Sequence, residues 1–313
     1  MNAVLFGRGK RGGIYYYVRE LERALKEKGV HASAGWRDFP SANVLHYNFD
    51  TFGNAKQVFL LALLMLGRAA GKRVIVTSFC PTARGAKPLK SRLYERLLYK
   101  TAHKILVHDK TEWGFSYKTA AIPHGNFSFY LKHRSKQPRS MLKKKWGVSG
   151  KDVVLSYGII RPSKGYASML RIMRDVVRKR PNAMLLIAGQ QGYASLGECG
   201  LKELPDFAVL HPKYMGEKET AELFTIADAA LLTNTQNNWS GVAHVAYCFR
   251  VPVIGPDSMK SQLTITASSG REFIEKVLGI LKDRPSCVRE FRREMEDFSW
   301  ERAAGEILAH YRG

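Results

Sequence analysis

Residues 155–173 read LSYGIIRPSKGYASMLRIM. An apolar run stops at Gly158, turns through Arg161, Pro162, Ser163, Lys164 and Gly165, and opens into a helical pattern. Two cations in the crook between a strand and a helix can hold negative charge that grows on a leaving group, because fixed cations and N–H groups aimed at such charge stabilise it. The plain alternative is a solvated basic turn. Ser240, Gly241 and Val242 open the helical stretch GVAHVAY. The first turn of a helix has N–H groups without partners and a partial positive charge, which seats a phosphate; Ser240 by itself is equally an N-cap. Gly12 and Gly13 follow the first apolar run. They either let a ligand approach the backbone or make a simple turn. His46 and His124 stand at the ends of apolar runs, where each could meet a hydroxyl or be satisfied in a core. There is no acidic DxD pair, so nothing calls for a metal bridging a diphosphate.

The elements that must position these residues alternate. NAVLFG, ANVLHYNF, KRVIVTSF, KILVHD and TAAIPHG read as strands. IYYYVRELERALKEKG, KQVFLLALLMLGRAAG and PLKSRLYERLLYKTAH read as the helices between them, the second of them buried. After a linker in the region 127–150 the pattern resumes with DVVLSYG, AMLLIAG, FAVLHP, AALLT and VPVIG as strands. SMLRIMRDVVRKRP, KETAELFTIA and GVAHVAYCF are helical, and FSWERAAGEILAHYR, with Ser299 as N-cap, closes the chain as an amphipathic helix. Strands alternating with such helices predict parallel sheets covered on both faces. Two such domains in tandem leave a crevice at the carboxyl ends of the strands for ligands.

The composition is that of a globular protein, 45% hydrophobic and 25% charged over 313 residues, enough for two cores. Cys80, Cys199, Cys248 and Cys287 are far apart and form no CxxC pair, which fits a reducing compartment. The longest apolar run, Val58–Leu66, has nine residues, whereas a membrane span takes roughly 20. The N-terminus has its charges after its apolar residues, unlike a secretory signal. Formal charge is +23, with +20 in residues 1–150 and +3 in residues 151–313. That asymmetry predicts a polyanionic partner for the first half: a phosphorylated substrate, an anionic membrane surface or nucleic acid. No recognition-helix, RNP or zinc signature supports nucleic acid. In KPLKSRLYERLLYK, Leu89, Leu93 and Leu97 recur at steps of four among Lys87, Lys90, Arg92, Arg96 and Lys100. Such a helix either lies in a headgroup layer or packs on a core with a solvated basic face.

SYGIIRPSKG, LLIAGQ, FTIADAALL, SGVAHVAYCFRVPVIG, AAIPHGNFSFY and FSWERAAGEIL occur in the order they have in retaining glycosyltransferases of family 4, which the chain resembles over nearly its whole length. The resemblance implies a GT-B fold: α/β, two Rossmann-like doubly wound domains facing a central cleft, with the C-terminal helix crossing back to the first. It implies an acceptor domain over 1–130 plus 299–313 and a nucleotide-sugar domain over 131–298. Carried over by motif, Arg161 and Lys164 hold the leaving diphosphate. Gly158, Gly189, Asn237, Ser240, Gly241 and Val242, with Gly12 and Gly13, lie around the donor, and His46 and His124 on the acceptor side. The implied reaction retains configuration, needs no metal or other cofactor, and takes a UDP- or GDP-linked sugar to an anionic, lipid-linked or membrane-associated acceptor. The place would be the cytoplasm, peripheral on the membrane face.

The chain also departs from that pattern. The family's paired glutamates correspond to Asn237 and Val245, a common histidine to Phe79, and an arginine to Ile159. A branch with SG and PHG motifs lacks the glutamates and fits this chain better. The departures leave open a second reading, a catalytically silent nucleotide-sugar-binding or partner protein on the same scaffold.

Overall fold

The computed structural model describes residues 1–7, 12–50, 55–79, 89–108, 116–234, 240–259, 264–283 and 298–312. The chain forms two compact units, Met1–Gly125 with Met295–Gly313, and Asn126–Glu294. The first unit thus ends five residues before the expected boundary. The reason is aromatic: Phe127, Phe129 and Tyr130 are buried, and Phe127 meets the ring of His244, within the second unit.

The first unit has a parallel six-stranded sheet. Its strands are β1 (Asn2–Phe6), β2 (His31–Ser33), β3 (Val44–Phe49), β4 (Arg73–Ser78), β5 (Lys104–Val107) and β6 (Thr119–Ala121), in the order β2-β1-β3-β4-β5-β6. Successive strand residues point to opposite faces. Ala3, Leu5 and Ile75 therefore join one core, and Val4, Phe6, Val74 and Val76 the other. Helix α1 (Gly13–Glu27) covers the first core with Tyr17, Val18, Leu21 and Leu25. Helices α2 (Ala55–Ala69) and α3 (Leu89–Thr101) cover the second with Leu60, Leu61, Leu64, Tyr94 and Leu98. α2 is not the buried helix its composition predicts. Its outer side carries Val58, Phe59, Met65 and Leu66 exposed.

The first α-helix of the second unit is the short α4 (Arg139–Lys145), inside the expected linker. Its parallel sheet comprises β7 (Asp152–Tyr157), β8 (Ala183–Ala188), β9 (Ala208–His211), β10 (Ala229–Leu231), β11 (Val253–Pro256) and β12 (Ile265–Ala267), ordered β12-β11-β10-β7-β8-β9. The helices are α5 (Tyr166–Lys179), α6 (Glu217–Ile226), α7 (Gly241–Cys248) and α8 (Gly270–Lys282). Met169, Ile172 and Val176 of α5 meet Phe273 and Val277 of α8 in one core. β2, β12, α4 and α8 are elements the sequence reading lacks. The two strands have three residues each, too short to show a period.

The terminal helix α9 (Trp300–Arg312) belongs to the first unit's core, packed through Trp300, Ala303, Ala304 and Ile307. Ser299 caps it by accepting the Arg302 N–H at 3.1 Å. Arg73 Nε donates to the His310 carbonyl at 2.7 Å.

The units also redistribute the charge. Segment 126–150 carries seven Lys and Arg and no Asp or Glu, and it belongs to the second unit. The first unit then holds 23 Lys and Arg against 12 Asp and Glu, the second 27 against 15. Net charges of +11 and +12 replace the asymmetry read from the two halves.

Candidate active site

In the second unit, β7 and β8 end side by side at Gly158 and Gly189. Gly158 has φ +107° and Gly189 φ +153°, and a Cβ on Gly189 would fall 2.0 Å from the Gly158 carbonyl oxygen. Only glycine allows that approach. The following loops stay paired, with Ile160 N–H donating to the Gln190 carbonyl at 2.9 Å and Gly192 N–H to the Ile160 carbonyl at 2.8 Å.

On this ledge the crook takes shape. Arg161 is extended and leads into a 3-10 turn, Pro162–Lys164, closed by the Gly165 N–H on the Pro162 carbonyl at 3.0 Å. Gly165 is left-handed, φ +71°, and starts α5; a Cβ there would lie 2.5 Å from the Thr233 carbonyl oxygen. Thr233 Oγ donates towards the carbonyls of Lys164, at 2.7 Å, and Gly165, at 3.1 Å. Thr233 is a positioning residue that sequence reasoning missed. The signal was there, a polar side chain at the carboxyl end of the apolar run AALL.

Lys164 is 6% exposed. Its ammonium donates to the Tyr157 carbonyl at 3.2 Å, and among the described residues no carboxylate pairs with it. Burial, and then the nearby Arg161 charge, push its pKa down to about 8. A cation withdrawn from water without a counter-charge is costly, and the cost is offset when an anion arrives. The alternative of a solvated turn does not describe Lys164.

The helix tip stands beside it. Lys164 Nζ and Val242 Cγ2 each lie 3.6 Å from the point a Cβ on Gly158 would occupy, so the ammonium and the first turn of α7 meet at one glycine. Ser240 is the N-cap, extended at φ −139°, and its hydroxyl makes no capping hydrogen bond. Gly158, Gly189, Arg161, Lys164, Ser240, Gly241 and Val242 thus come together at the carboxyl ends of β7 and β8 and the start of α7. A groove of about 970 Å³ between α5 and α8 reaches this region at Thr233 and Asn234, but the two cations do not line it. Asn237 lies outside the described residues. Val245 is buried and Ile159 is exposed.

The remaining predicted residues lie in the first unit. Gly12, φ +98°, is the N-cap of α1 and Gly13 its first residue, both with open space at the Cβ position. His46 is fully buried in β3, with Nδ1 2.6 Å from the Tyr311 hydroxyl and Nε2 2.7 Å from Thr77 Oγ1. Burial pushes its pKa down to about 3. Both ring nitrogens are engaged inside the unit, so His46 stands as a satisfied core histidine here. His124 is buried, its Nδ1 2.5 Å from the Gly125 carbonyl oxygen, in a ring cluster with Tyr17, His108 and Trp300. Phe79 packs edge-on against Tyr17 in the same cluster.

Residues 139–287 match the sequence model of the family described as Glycosyl transferases group 1, a span that contains the whole cradle. Among curated proteins none matches the chain. Solved structures do match along the entire length. WaaG, a glycosyltransferase involved in lipopolysaccharide biosynthesis, superposes with TM-score 0.67 at 13% identity, over 100% of each chain. Sucrose-phosphate synthase from Thermosynechococcus elongatus does so with TM-score 0.69 at 16% identity, over 99% of this chain and 98% of its own. The fold is GT-B. The N-terminal domain of a trehalose-6-phosphate phosphatase from Candida albicans also superposes, with TM-score 0.64 at 11% identity, over 99% of this chain and 96% of that one.

Proposed function

We propose that the protein is a glycosyltransferase that moves a sugar from a nucleotide-sugar to an acceptor, with retention at the anomeric carbon. The observation that carries the reading is the buried Lys164 ammonium, which pairs with no carboxylate among the described residues and meets the first turn of α7 at the same glycine. A diphosphate supplies the missing negative charge. The match of residues 139–287 to group 1 glycosyl transferases supports the same reading.

In this reaction the bond from the anomeric carbon to the diphosphate breaks, and its electron pair stays on the phosphate oxygen. The acceptor hydroxyl oxygen bonds to that carbon from the same face, and its proton passes to the departing phosphate. Arg161 and Lys164 neutralise the charge as it grows, together with the N–H groups of Gly241 and Val242. Protein cations do the work that a metal would otherwise do. Gly158 and Gly189 let the diphosphate approach the backbone. We assign the donor as UDP- or GDP-linked and the acceptor as anionic and lipid-linked or membrane-associated, used at the cytoplasmic face of a membrane.

The second reading, a silent nucleotide-sugar-binding partner, draws on Val245, whose apolar side chain cannot accept hydrogen bonds from a ribose. Thermal-shift measurements against UDP-, GDP-, ADP- and dTDP-sugars test both. At least one donor should raise the melting temperature of the native chain and fail to do so for Lys164→Ala. No shift with any donor would remove the donor site. A shift with no release of nucleoside diphosphate, with water or any offered acceptor, would decide for the silent partner.

A further inference from the structure

The outer faces of α2 and α3 carry an arrangement that the donor site does not use. Along α2, Val58, Phe59, Ala62, Met65, Leu66 and Ala69 all face out, spaced as one side of a helix, and Leu66 is 66% exposed. On the neighbouring α3, Leu89, Leu93 and Leu97 face out at steps of one turn, with Leu89 79% exposed. The indole of Trp36, itself half exposed, lies 6.0 Å from the Phe59 ring and extends the strip. Lys56, Lys90, Arg92, Arg96 and Lys100 border the two stripes, all exposed. The two helices contain a single carboxylate, Glu95, and it is buried. Arg68 is engaged with carbonyls at the end of α3, where its Nη1 donates to Thr101 at 2.5 Å and Ala102 at 3.2 Å. A water-facing helix layer would show polar residues here, and contiguous exposed apolar surface marks a binding face.

We infer that this two-helix face is a docking surface for an anionic lipid bilayer, on which α2 and α3 lie flat in the headgroup layer. Charge complementarity selects that occupant. Apolar stripes bordered by Lys and Arg fit a layer whose surface is negative and whose interior is apolar. A second copy of the chain, meeting this face through a two-fold axis, would set the same cations against one another. No helix among the described residues is long and apolar enough to cross a membrane. The inference deepens the acceptor part of the proposed function and rests on it only for the purpose of docking.

The test is vesicle flotation of the full chain with phosphatidylcholine alone and with phosphatidylcholine containing phosphatidylglycerol, alongside gel filtration. Binding to the anionic vesicles should exceed binding to the neutral ones at least tenfold. It should fall at least tenfold in Phe59→Glu/Leu66→Glu and, independently, in Lys90→Glu/Arg92→Glu/Arg96→Glu. Both variants alter only exposed side chains and should keep the native melting temperature. If one is unfolded, the other carries the test. Equal binding to both vesicle types, or undiminished binding of a folded variant, would overturn the inference. So would dimerisation that Phe59→Glu/Leu66→Glu abolishes, because the face would then belong to a second copy. Donor-induced thermal shifts should persist in both variants, so a failure of docking and a failure of the donor site give different results.

Discussion

Lys164 carries a consequence that can be read in solution. Its folded pKa of about 8 lies below the ordinary lysine value of 10.5, so between those pH values the unfolded chain holds more protons than the folded one. Stability then rises with pH across that window, and Lys164→Met should remove that part of the rise in urea midpoints measured from pH 7.5 to 10. A bound diphosphate acts in the opposite sense, favouring the charged ammonium. Pyrophosphate binding near pH 8.5 should therefore take up a proton, visible in calorimetry as a heat that depends on the buffer's ionisation enthalpy. Affinity should fall as pH rises past 8, and Lys164→Arg should flatten the fall. A flat profile in the native chain would detach Lys164 from the anion.

Among the elements, α9 shows how side chains fasten a terminal helix. The Gly125 backbone lies against the Trp300 indole so closely that a Cβ would come 2.1 Å from the ring. Trp300 is buried and has little room to move, so Gly125→Ala should cost about 1–3 kcal/mol by overpacking, measured by urea unfolding. At the other end of α9 the Tyr311 hydroxyl meets His46 Nδ1. Tyr311→Phe leaves that buried nitrogen without its partner, at a cost of about 1–3 kcal/mol. His46, with a folded pKa of about 3 against 6.5, stays neutral in the fold while the unfolded chain protonates. Stability should therefore be lost as pH falls below 6.5, so urea midpoints should be lower at pH 5 than at pH 7.5.

At the scale of the molecule, two units with separate cores invite two unfolding transitions. The anion cradle lies wholly in the second. A nucleoside diphosphate at 100 times its dissociation constant should stabilise the transition of that unit by about 2.7 kcal/mol and leave that of the first unit in place. Calorimetric scans with and without ligand would read the difference. A shift of the first transition alone would put the anion elsewhere. Similar charges on the two units also mean that net charge does not distinguish them, and that the local surface of α2 and α3 gives the first unit its character.

The sequence by itself determined the fold class and most of the cradle. Near-continuous apolar runs such as RVIVTS and VVLSY read as strands buried on both faces, and glycines at strand ends mark close backbone approach, so the parallel sheets and the turn from Gly158 to Gly165 were legible. Local chemistry announced Ser299 as a cap. Tertiary structure decided whatever depends on a neighbour distant in sequence. Lys164 becomes a buried cation only because the turn folds back onto the end of β7, and Thr233 enters the site from the segment just after β10, 69 residues away. Of the two readings open for His46, its place in the core comes from α9, which brings Tyr311 to it. Helical spacing tells which residues share a face, but which of two apolar faces is covered depends on the layers packed around it. α2, apolar on both sides, could not reveal its exposed stripe until the sheet had claimed the other.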